Sequence, residues 1–562
     1  MAEDGATLAR DLLARAERLK ADRSGFDRHW QEIRDVIYPA ATSFAGPEGP
    51  GRKAHAQVFD STGEQAAELL AAALHAGLTH PATPWFHLRA LDDTINKDDS
   101  AGRWLEEAGR RMLDVFNSPS ANFAPQQHEK YLDLVAFGSA CMYVEDRPGR
   151  LPLFQTRSLA ECFFAESAEG RVDTNFRWFE LTARQAAQRW GDRAGRRVTQ
   201  AAEDSRRQDD PIRFVHAVYP RSGGALAMTE NGHAARRHAR AAGPLSLPYA
   251  SCWINVDEMT LVEEGGFHEF PYTCPRWLKR AGEIYGRGPG MKALADVKML
   301  QRAMKVTIRG VEKMVDPPLM IADDGVISPV RLMPSGVNHV RADLMQGGGL
   351  PIRPIDTGGR PDIGEEFLKS TRTRIEFAFY THLIQFARDP AMTATQFLGI
   401  TEQTARVLAP ILARLQVEDL DPLVQRVFGI LGRAGMLPPP PPALRGTRLR
   451  IEYVSPITRA QTMGDARALA QTAEAIAPLL QSNPEVLDNF DADAAARDIA
   501  DIVGLRKAWL RNVDTVKAMR QARQQVQQQT ATGDALAQLA GAAGAKKDGA
   551  GPTLMQLLGG RA

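Results

Sequence analysis

The chain has 562 residues, of which 44% are hydrophobic, 24% charged and 7% aromatic, a composition that excludes a disordered or fibrous protein. This length exceeds what one hydrophobic core supports, so we expect several domains or one domain with large insertions. The formal net charge is +1, which excludes a protein that grips nucleic acid through a large basic excess and permits copies of the chain to associate.

The first 137 residues are predicted to be mostly helical. Apolar residues recur three and four apart over residues 6–38, and Pro39 ends this segment. After a glycine- and proline-rich loop, Asp60-Ser61 is predicted to cap a second helix that runs to about His80. An extended piece begins at Trp85, and residues 100–137 again predict helix, with a break near 119–125.

Residues 140–279 have a different character. Short runs typical of strands alternate with turns, and one helical insertion is predicted around 183–190. The strand-like runs include Cys141–Glu145, Phe214–Tyr219 and Ala250–Val256. We therefore expect a β-rich region here.

The centre of the chain predicts two long helices around a compact insert. The run Gly286-Arg287-Gly288-Pro289-Gly290 is a break, and Met291 to Val315 follows as a helix of roughly 38 Å. Asp316-Pro317-Pro318 ends it, and about 45 residues of short strands and turns lead to a second helix, Pro361 to Arg388. Because both helices have about the same length, they can lie antiparallel and hold the insert as a tip.

The last third predicts helix, linker, strand and helix. Residues 393–431 are predicted helical with interruptions at Pro410 and Pro422, and the prolines of 438–442 form an extended linker. A strand over 449–454 precedes an Ala-rich helical region, 457–523, broken near Asn483-Pro484. The final forty or so residues are low in complexity and are expected to be disordered in isolation.

Motifs for catalysis are absent from the sequence. It contains no GxxxxGK[ST], HExxH or GxSxG. Asp60-Ser61-Thr62 is better interpreted as a helix cap than as a nucleophile, and Asp491 with Asp493 as a solvated acidic turn rather than a calcium loop. An acid–base pair among the many carboxylates stays open, because a sequence shows no geometry.

The cysteines and the N-terminus indicate an intracellular setting. Cys141, Cys162, Cys252 and Cys274 form no CxxC pair, so we expect isolated reduced thiols and neither metal nor cofactor. The charged start of the chain shows no secretory signal, and no apolar run approaches the roughly 18 residues of a membrane span. We expect a cytoplasmic protein without a membrane contact unless an assembly carries it elsewhere.

One charge pattern stands out on the first long helix. Basic residues recur three or four apart and therefore fall on one face; they are Lys298, Arg302, Lys305, Arg309 and Lys313, joined by Glu312. This basic stripe is either a solvated or intersubunit face, or a surface for a charged polymer such as duplex DNA.

The order of parts and several local stretches resemble the portal, or head-to-tail connector, of tailed bacteriophages, especially short-tailed phages. The similar stretches are Val58-Phe59-Asp60-Ser61-Thr62-Gly63, Leu78-Thr79-His80-Pro81, Trp85-Phe86, Glu283 to Pro289, Ala409 to Leu412, Asp421-Pro422-Leu423, Gly435 to Pro438, Ile451-Glu452-Tyr453 and Ser455-Pro456. The resemblance extends from about residue 8 to 523, and no single motif carries it alone.

This resemblance implies an α+β fold with the parts of a portal. The wing would be residues 1–287, the first stem helix 288–315, the clip 316–362, the second stem helix 363–388, the tunnel loop and wing return 389–455, the crown 456–523, and a low-complexity tail 524–562. The expected role is structural: a ring, usually of twelve copies, at one capsid vertex of the virion, with no catalysis of its own.

The resemblance also implies sites and partners. The basic stripe would face double-stranded DNA in the channel or acidic residues of a neighbouring copy, such as Glu365, Glu366 or Glu376. The tunnel loop would present Arg388, Asp389, Pro390, Met392 and Thr393, and the clip would dock partners through Arg331, Asn338, Arg341 and Arg353. Expected partners are the large terminase, the tail adaptor, and the major capsid and scaffold proteins.

Two other functions stay open. The chain could be another virion structural protein, such as a minor capsid, tail or ejection protein that forms no channel. It could also be a hydrolase or nuclease with an unrecognised carboxylate site, although no group of residues fits the roles such a site requires.

Overall fold

The computed structural model describes residues 2–49, 51–96, 98–221, 243–315, 319–321, 352–354, 361–385, 407–454, 471–472, 474, 491–503, 509–511 and 515–526. Helices and antiparallel sheets share this part of the chain, which confirms the α+β class. None of the described helices is long and apolar enough to cross a membrane.

Five helices build the N-terminal region. They are α1 (Ala2–Val36), α2 (Thr62–Leu78), α3 (Asp93–Asn96), α4 (Asp99–Asn117) and α5 (Phe123–Phe137). The predicted helices and the break between α4 and α5 are confirmed; a short 3₁₀ turn and Asn122, at φ 61°, separate the two. Trp30 of α1 is fully buried in the largest hydrophobic core, and its indole N–H donates to the Phe137 carbonyl of α5 at 2.9 Å.

The predicted β-rich region contains two antiparallel sheets. The larger sheet has the order β4 (Cys162–Glu166), β5 (Val172–Thr182), β6 (Pro211–Pro220), β7 (Tyr249–Asn255), β8 (Thr260–Phe267). Its strands alternate side chains between two faces. One face packs on the start of α1, and the other packs on the predicted helical insertion, α6 (Ala183–Trp190), with α7 (Arg196–Glu203).

A smaller sheet and a two-stranded ribbon complete this half. The sheet has the order β3 (Leu153–Thr156), β2 (Met142–Glu145), β9 (Tyr272–Thr273). The ribbon pairs β1 (Phe86–Ala90) with β12 (Leu449–Tyr453), so residues more than 350 positions apart lie side by side. The predicted strand near 449–454 therefore returns to the N-terminal region, where it packs with α4.

The central helices are unequal, contrary to prediction. The first predicted long helix is confirmed as α8 (Pro289–Val315), but the second, α9 (Pro361–Ala378), ends early and is followed by α10 (Thr381–Gln385). Tyr380 has φ 57°, which interrupts the helical hydrogen-bond ladder, and the Thr381 hydroxyl donates to the Glu376 carbonyl at 2.6 Å. Between α8 and α9, the strands β10 (Leu319–Ile321) and β11 (Ile352–Pro354) pair antiparallel.

The segment after the predicted tunnel loop is helical. Residues 407–415 (α11) lead through a π-helical turn, Gln416–Leu420, into α12 (Asp421–Arg433). The predicted interruption at Pro410 is wrong, since this residue lies among helical residues, and the break before Pro422 is the π turn. Further on, Ala492–Val503 (α13) and 515–526 (α14) are helical; the expected break at Asn483-Pro484 and the tail from 527 lie outside the described residues.

Candidate functional site

The start of α8 packs directly against backbone atoms at the end of α5, a contact that we call the glycine seat. A Cβ added to Gly290 would lie 2.3 Å from the Ala136 carbonyl oxygen, and one added to Gly286 would lie 2.2 Å from the Gly138 carbonyl oxygen. Gly138, at the end of α5, has φ 81°, a left-handed conformation that glycine favours. The glycine-rich run is thus required by close approach between two chain segments, beyond the simple break that the sequence predicts.

The two long helices α8 and α9 run antiparallel, as predicted. At one point the Cβ position of Gly364 lies 3.6 Å from the Thr307 hydroxyl, and at another Arg374 is 3.6 Å from Asp296. Residues late in α8 therefore lie beside residues early in α9, and the reverse. The β10–β11 pair continues the same antiparallel order beyond the helix ends, with Ile321 opposite Ile352.

Asp60 binds both α8 and α9 to the start of α2. One of its carboxylate oxygens accepts hydrogen bonds from the Thr62 backbone and hydroxyl, at 2.9 and 2.5 Å, and the other accepts two from Arg372, at 2.9 and 2.7 Å. Gln301 of α8 completes the clamp, because its amide donates to the Asp60 carbonyl and accepts from the backbone of Phe59 and Asp60. We call Asp60, Gln301 and Arg372 the stem clamp.

The predicted cap at Asp60-Ser61 is therefore formed by Asp60, since the Ser61 side chain makes no capping bond to α2. Burial by itself would raise the pKa of Asp60, but the hydrogen bonds from Thr62 and Arg372 outweigh it and hold that pKa below the usual range. The ionised Asp60 carboxylate therefore has a structural role, because it joins the start of α2 to Arg372. It does not lie beside a nucleophile as a general acid or base would.

Two residues of the basic stripe contact other parts of the chain. Lys298 pairs with Glu32 of α1 at 2.6 Å, and the Lys305 ammonium lies 5.4 Å from the centre of the Phe59 ring. The other three stripe residues are exposed and pair with no acidic side chain of the described residues; they are Arg302, Arg309 and Lys313. Two of the five predicted DNA-facing residues thus have partners within the chain.

The acidic residues suggested as partners for the stripe lie on the other helix. Glu365 and Glu366 are exposed on α9, and Glu376 is half-buried. Within one copy, none of them pairs with a stripe residue that the structure describes. Exposed apolar side chains lie in the C-terminal part of α8 and the N-terminal part of α9; they are Val306, Ile308, Val311, Met314, Val315 and Phe367.

Most residues predicted for the clip and the tunnel loop lie outside the described part of the chain. These are Arg331, Asn338 and Arg341 of the clip, and Arg388, Asp389, Pro390, Met392 and Thr393 of the tunnel loop. Arg353 is placed on β11, opposite Met320. All of these roles stay predictions.

The π turn carries a second attachment that the sequence analysis missed. Asp419 is fully buried and pairs with the fully buried Lys130 of α5 at 2.5 Å, with Gln127 donating to its other oxygen at 3.3 Å. The adjacent Glu418 accepts two hydrogen bonds from the Arg276 guanidinium, at 2.8 and 2.9 Å. We call Lys130, Arg276, Glu418 and Asp419 the return latch.

The wide π turn allows consecutive acidic residues to reach two separate buried cations, and π turns are rare outside such special positions. Burial lowers the pKa of Lys130, and the charge of Asp419 opposes that shift. No local signal in the sequence pairs Lys130 with Asp419, because 289 positions separate them.

Among the described residues, no group of histidine, cysteine or acidic side chains could hold a metal ion. Asp491 accepts from the backbone of Asp493 and Ala494, at 3.1 and 3.0 Å, so the predicted acidic turn is a helix cap. The four cysteines are free and buried, but Cys141 and Cys274 are not isolated as predicted, because their sulfurs lie 3.9 Å apart. Burial raises the pKa of the Cys141 thiol well above its usual value, which makes it a poor nucleophile.

Comparison with known proteins gives a consistent result over most of the chain. Residues 9–510 match the family model described as "Bacteriophage head to tail connecting protein". The "Probable portal protein" of Bordetella phage BPP-1 is 29% identical over 533 residues, which cover 92% of each chain. The "Portal protein" of Salmonella phage epsilon15 is 30% identical over 538 residues, which cover 94% of each chain.

A solved structure described as the neck of an empty gene transfer agent particle aligns with 78% of this chain and 94% of its own. Its sequence identity is 12% and its TM-score 0.36.

Proposed function

We propose a function from one premise: the chain belongs to the bacteriophage head-to-tail connecting protein family, the portal proteins. Portal proteins are components of the virion, and so is this one. In our proposal, copies of the chain close into a ring, with twelve as the expected number, at one vertex of the capsid. The ring conducts double-stranded DNA during packaging and again during ejection.

The observation that carries this proposal is the clamped antiparallel stem. Long helices that stand side by side around an axis form the wall of a channel, and a ring needs a contact in which one face of a subunit meets a different face of the next. Arg372 and Gln301 fix both helices to the same aspartate, so the pair projects from the wing as one unit. The near-neutral net charge suits a channel through which DNA slides.

We assign the parts as the family resemblance implies. The wing comprises residues 1–287 with the return segment up to 455, the stem comprises 288–315 and 363–388, and the clip is 316–362. The crown is 456–523, followed by the tail 524–562. The tunnel loop precedes α11, so the return latch fastens the chain to the wing soon after it leaves the channel.

Three stripe residues are our candidates for contact with DNA. Arg302, Arg309 and Lys313 are exposed and unpaired among the described residues, so their charges are available to phosphate. Lys298 and Lys305 remain in the proposal with a smaller weight, because each already has a partner in the chain.

The partners in this proposal follow the path of the DNA. The clip docks the large terminase during packaging and the tail adaptor afterwards, and the wing contacts the major capsid and scaffold proteins. Both curated relatives carry names of portal proteins, which are structural. We assign ATP hydrolysis to the separate terminase motor, since the sequence has no phosphate-binding loop.

Electron microscopy of the purified protein with rotational class averaging tests the ring. Closed rings with a central hole and near twelve-fold symmetry are expected. Particles that stay monomeric or dimeric across salt and protein concentration would overturn the channel and favour another virion structural protein.

DNA contact is tested separately from the ring. Arg302→Gln/Arg309→Gln is expected to lower the amount of DNA retained per particle, because two charges facing phosphate are removed. Lys369→Gln, an exposed cation on α9 outside the stripe, is the matched control and should retain DNA normally. If the wild type, the double variant and the Lys369→Gln control retain equal amounts of DNA, the stripe does not face the channel and instead belongs to the boundary between subunits.

A further inference from the structure

The ribbon of β1 and β12 has one unpaired edge. The Leu91 N–H donates to the Arg448 carbonyl and the Val454 N–H to the Trp85 carbonyl, so the even-numbered residues from 448 to 454 bond to β1. The N–H and C=O groups of the odd-numbered residues therefore point away from β1; these residues are Leu449, Ile451 and Tyr453. No strand in the described part of the chain pairs with them.

The opposite edge of the ribbon, that of β1, is blocked by a side chain. Asn96 accepts from the Ala90 N–H at 2.8 Å and donates to the Ala90 carbonyl at 3.0 Å, as a neighbouring strand would. Folded proteins block or cover edges of this kind, because an unpaired edge invites another chain. The outward backbone groups of β12 have no such partner among the described residues, so the β12 edge is the one that a partner can use.

A groove of about 1000 Å³ runs along the unpaired edge. Every residue from Leu444 to Ile451 lines it, so the groove follows β12 and the loop before it. Other lining residues come from α4, α12 and the linker after α12; they include Trp104, Val424, Phe428 and Leu437. The space beside the unpaired backbone groups is therefore open and bounded by apolar side chains, which suits a buried segment of another chain.

One face of the ribbon is apolar. Successive side chains of a strand alternate between its two faces, so Leu449, Ile451 and Tyr453 share the face of Leu88. All three are half-buried and pack against the hydrophobic core that α4 and α12 form with Leu88. A strand added at this edge would bring every second side chain onto the same face and extend that core.

The other face of the ribbon is basic. It carries Arg448 and Arg450, with Arg450 opposite Arg89. Arg89 pairs with Glu452 on the same face. Arg448 and Arg450 are exposed and form no ion pair with an acidic side chain that the structure describes. The intervening side chains of an added strand would therefore meet two positive charges that lack a counter-charge.

We propose that β12 receives an extended segment of a partner protein as an added strand, in which apolar and acidic residues alternate. The outward N–H and C=O groups of β12 match the spacing of groups on another strand, and this selects an extended backbone. The apolar residues of the segment face the core beside Ile451, and the acidic residues face Arg448 and Arg450. The inference does not depend on the proposed ring or on passage of DNA.

A synthetic peptide tests the main-chain pairing with the full-length protein. The probe is a fluorescent peptide of about six residues, the usual length of a strand, in which valine and glutamate alternate. Saturable binding measured by fluorescence anisotropy is expected. Two further peptides carry N-methyl groups, one on the valines and one on the glutamates. One of the two should fail to bind, because one set of N–H groups faces β12, and the identity of that peptide gives the strand direction.

Charge exchange tests the acidic pattern. Arg448→Glu/Arg450→Glu should bind the valine–glutamate peptide at least about tenfold more weakly than the wild type, and should bind a valine–lysine peptide more tightly. Arg193→Glu/Arg196→Glu, which reverses two exposed arginines near α7, is the matched control and should bind both peptides like the wild type. Circular dichroism of each variant establishes that it is folded. Equal affinity of the wild type for both peptides would overturn the acidic pattern.

Proline at the edge tests the strand itself. Ile451→Pro removes an outward N–H that β1 does not use, and proline is tolerated on an edge strand at such a position. This variant should lose binding of the peptide, whereas Ile451→Val, which keeps the N–H, should bind it. Binding that survives Ile451→Pro and both N-methylated peptides, or a wild type that binds no peptide, would overturn the added strand.

Hydrogen exchange gives a readout independent of mutation. With the peptide bound, the Leu449 and Ile451 amides should exchange more slowly, while the Arg450 and Glu452 amides, already bonded to β1, should change little. The same slowing on ring formation without peptide would mean that a neighbouring copy fills the groove, and would overturn a separate partner as its occupant. Rings seen by electron microscopy of a chain that binds no peptide would leave the proposed channel intact.

Discussion

The long helix α8 and the segment formed by α11, the π turn and α12 are both attached to α5 and its surroundings, but by different physical means. The stem starts on a seat of glycine backbone and is steadied by the stem clamp, in which the Arg372 side chain is 38% exposed. The return segment is fastened by the return latch, in which Lys130 and Asp419 are fully buried. Close backbone contacts and a partly exposed ion pair hold the first, whereas a fully buried ion pair holds the second.

This difference indicates where each attachment is sensitive. A buried ion pair adds little compared with a well-packed apolar pair, yet removing one partner leaves a charge without compensation. A glycine seat tolerates no added carbon, because the neighbouring atoms are backbone and cannot rotate away. An arginine at the surface keeps part of its hydration, so its loss costs less. Four substitutions test this order.

The largest effect is expected at the return latch. Lys130→Met should lower the free energy of unfolding by about 3–5 kcal/mol, because Asp419 remains buried with no counter-charge. Lys130→Met/Asp419→Leu should recover most of that loss. Chemical unfolding followed by tryptophan fluorescence measures both, and an equal loss in the single and double variants would refute the charge argument.

The glycine seat comes next. Gly290→Ala should destabilise the protein by about 2–3 kcal/mol, because the new Cβ would lie 2.3 Å from the Ala136 carbonyl oxygen. Gly310→Ala on the same helix is the control. Nothing lies within 4 Å of that position, so alanine should stabilise the helix by about 0.5–1 kcal/mol. Relative to the wild type, the midpoint temperature of thermal unfolding should fall for Gly290→Ala and rise for Gly310→Ala.

The stem clamp should have an intermediate and pH-dependent effect. Arg372→Met is expected to cost about 1–2 kcal/mol at pH 7, since Asp60 keeps its bonds from Thr62. Because the pKa of Asp60 is lowered in the folded state, its contribution is present above the usual carboxyl pKa and is lost as pH falls through the folded value.

The variant should therefore lose less stability than the wild type on acidification below about pH 4. Unfolding midpoints measured across this pH range test the sign. Arg374→Met, whose partner Asp296 is 3.6 Å away and whose side chain is 52% exposed, is the control and should change little. Parallel acid profiles for wild type and Arg372→Met would contradict the clamp.

The smallest effect is expected at the exposed ion pair between α8 and α1. Lys298→Ala removes the pair with Glu32, in which both side chains are about half exposed, and should cost at most about 0.5 kcal/mol, decreasing with added salt. A loss above 2 kcal/mol, insensitive to salt, would mean that the stem depends on surface charge and would reverse the proposed order.

The sequence by itself determined the order of the parts and the kinds of elements. Apolar spacing, prolines and glycine runs predicted α1, α2, α8 and the β-rich region, because these signals act over a few residues. The same local stretches carried the family resemblance that the comparisons later supported over residues 9–510. The basic stripe was also visible, since it depends only on the helical period.

The tertiary structure alone decided what those parts are attached to. The sequence indicated Asp60 as a simple helix cap, but it also binds Arg372, 312 positions away, and the pair of Lys130 with Asp419 joins residues 289 positions apart. The early end of α9 at Ala378 likewise depends on a left-handed Tyr380, which helix periodicity does not foretell. The periodic pattern of apolar residues depends only on neighbours in the sequence. Buried ion pairs and close contacts at glycines depend instead on which distant segments meet in the fold.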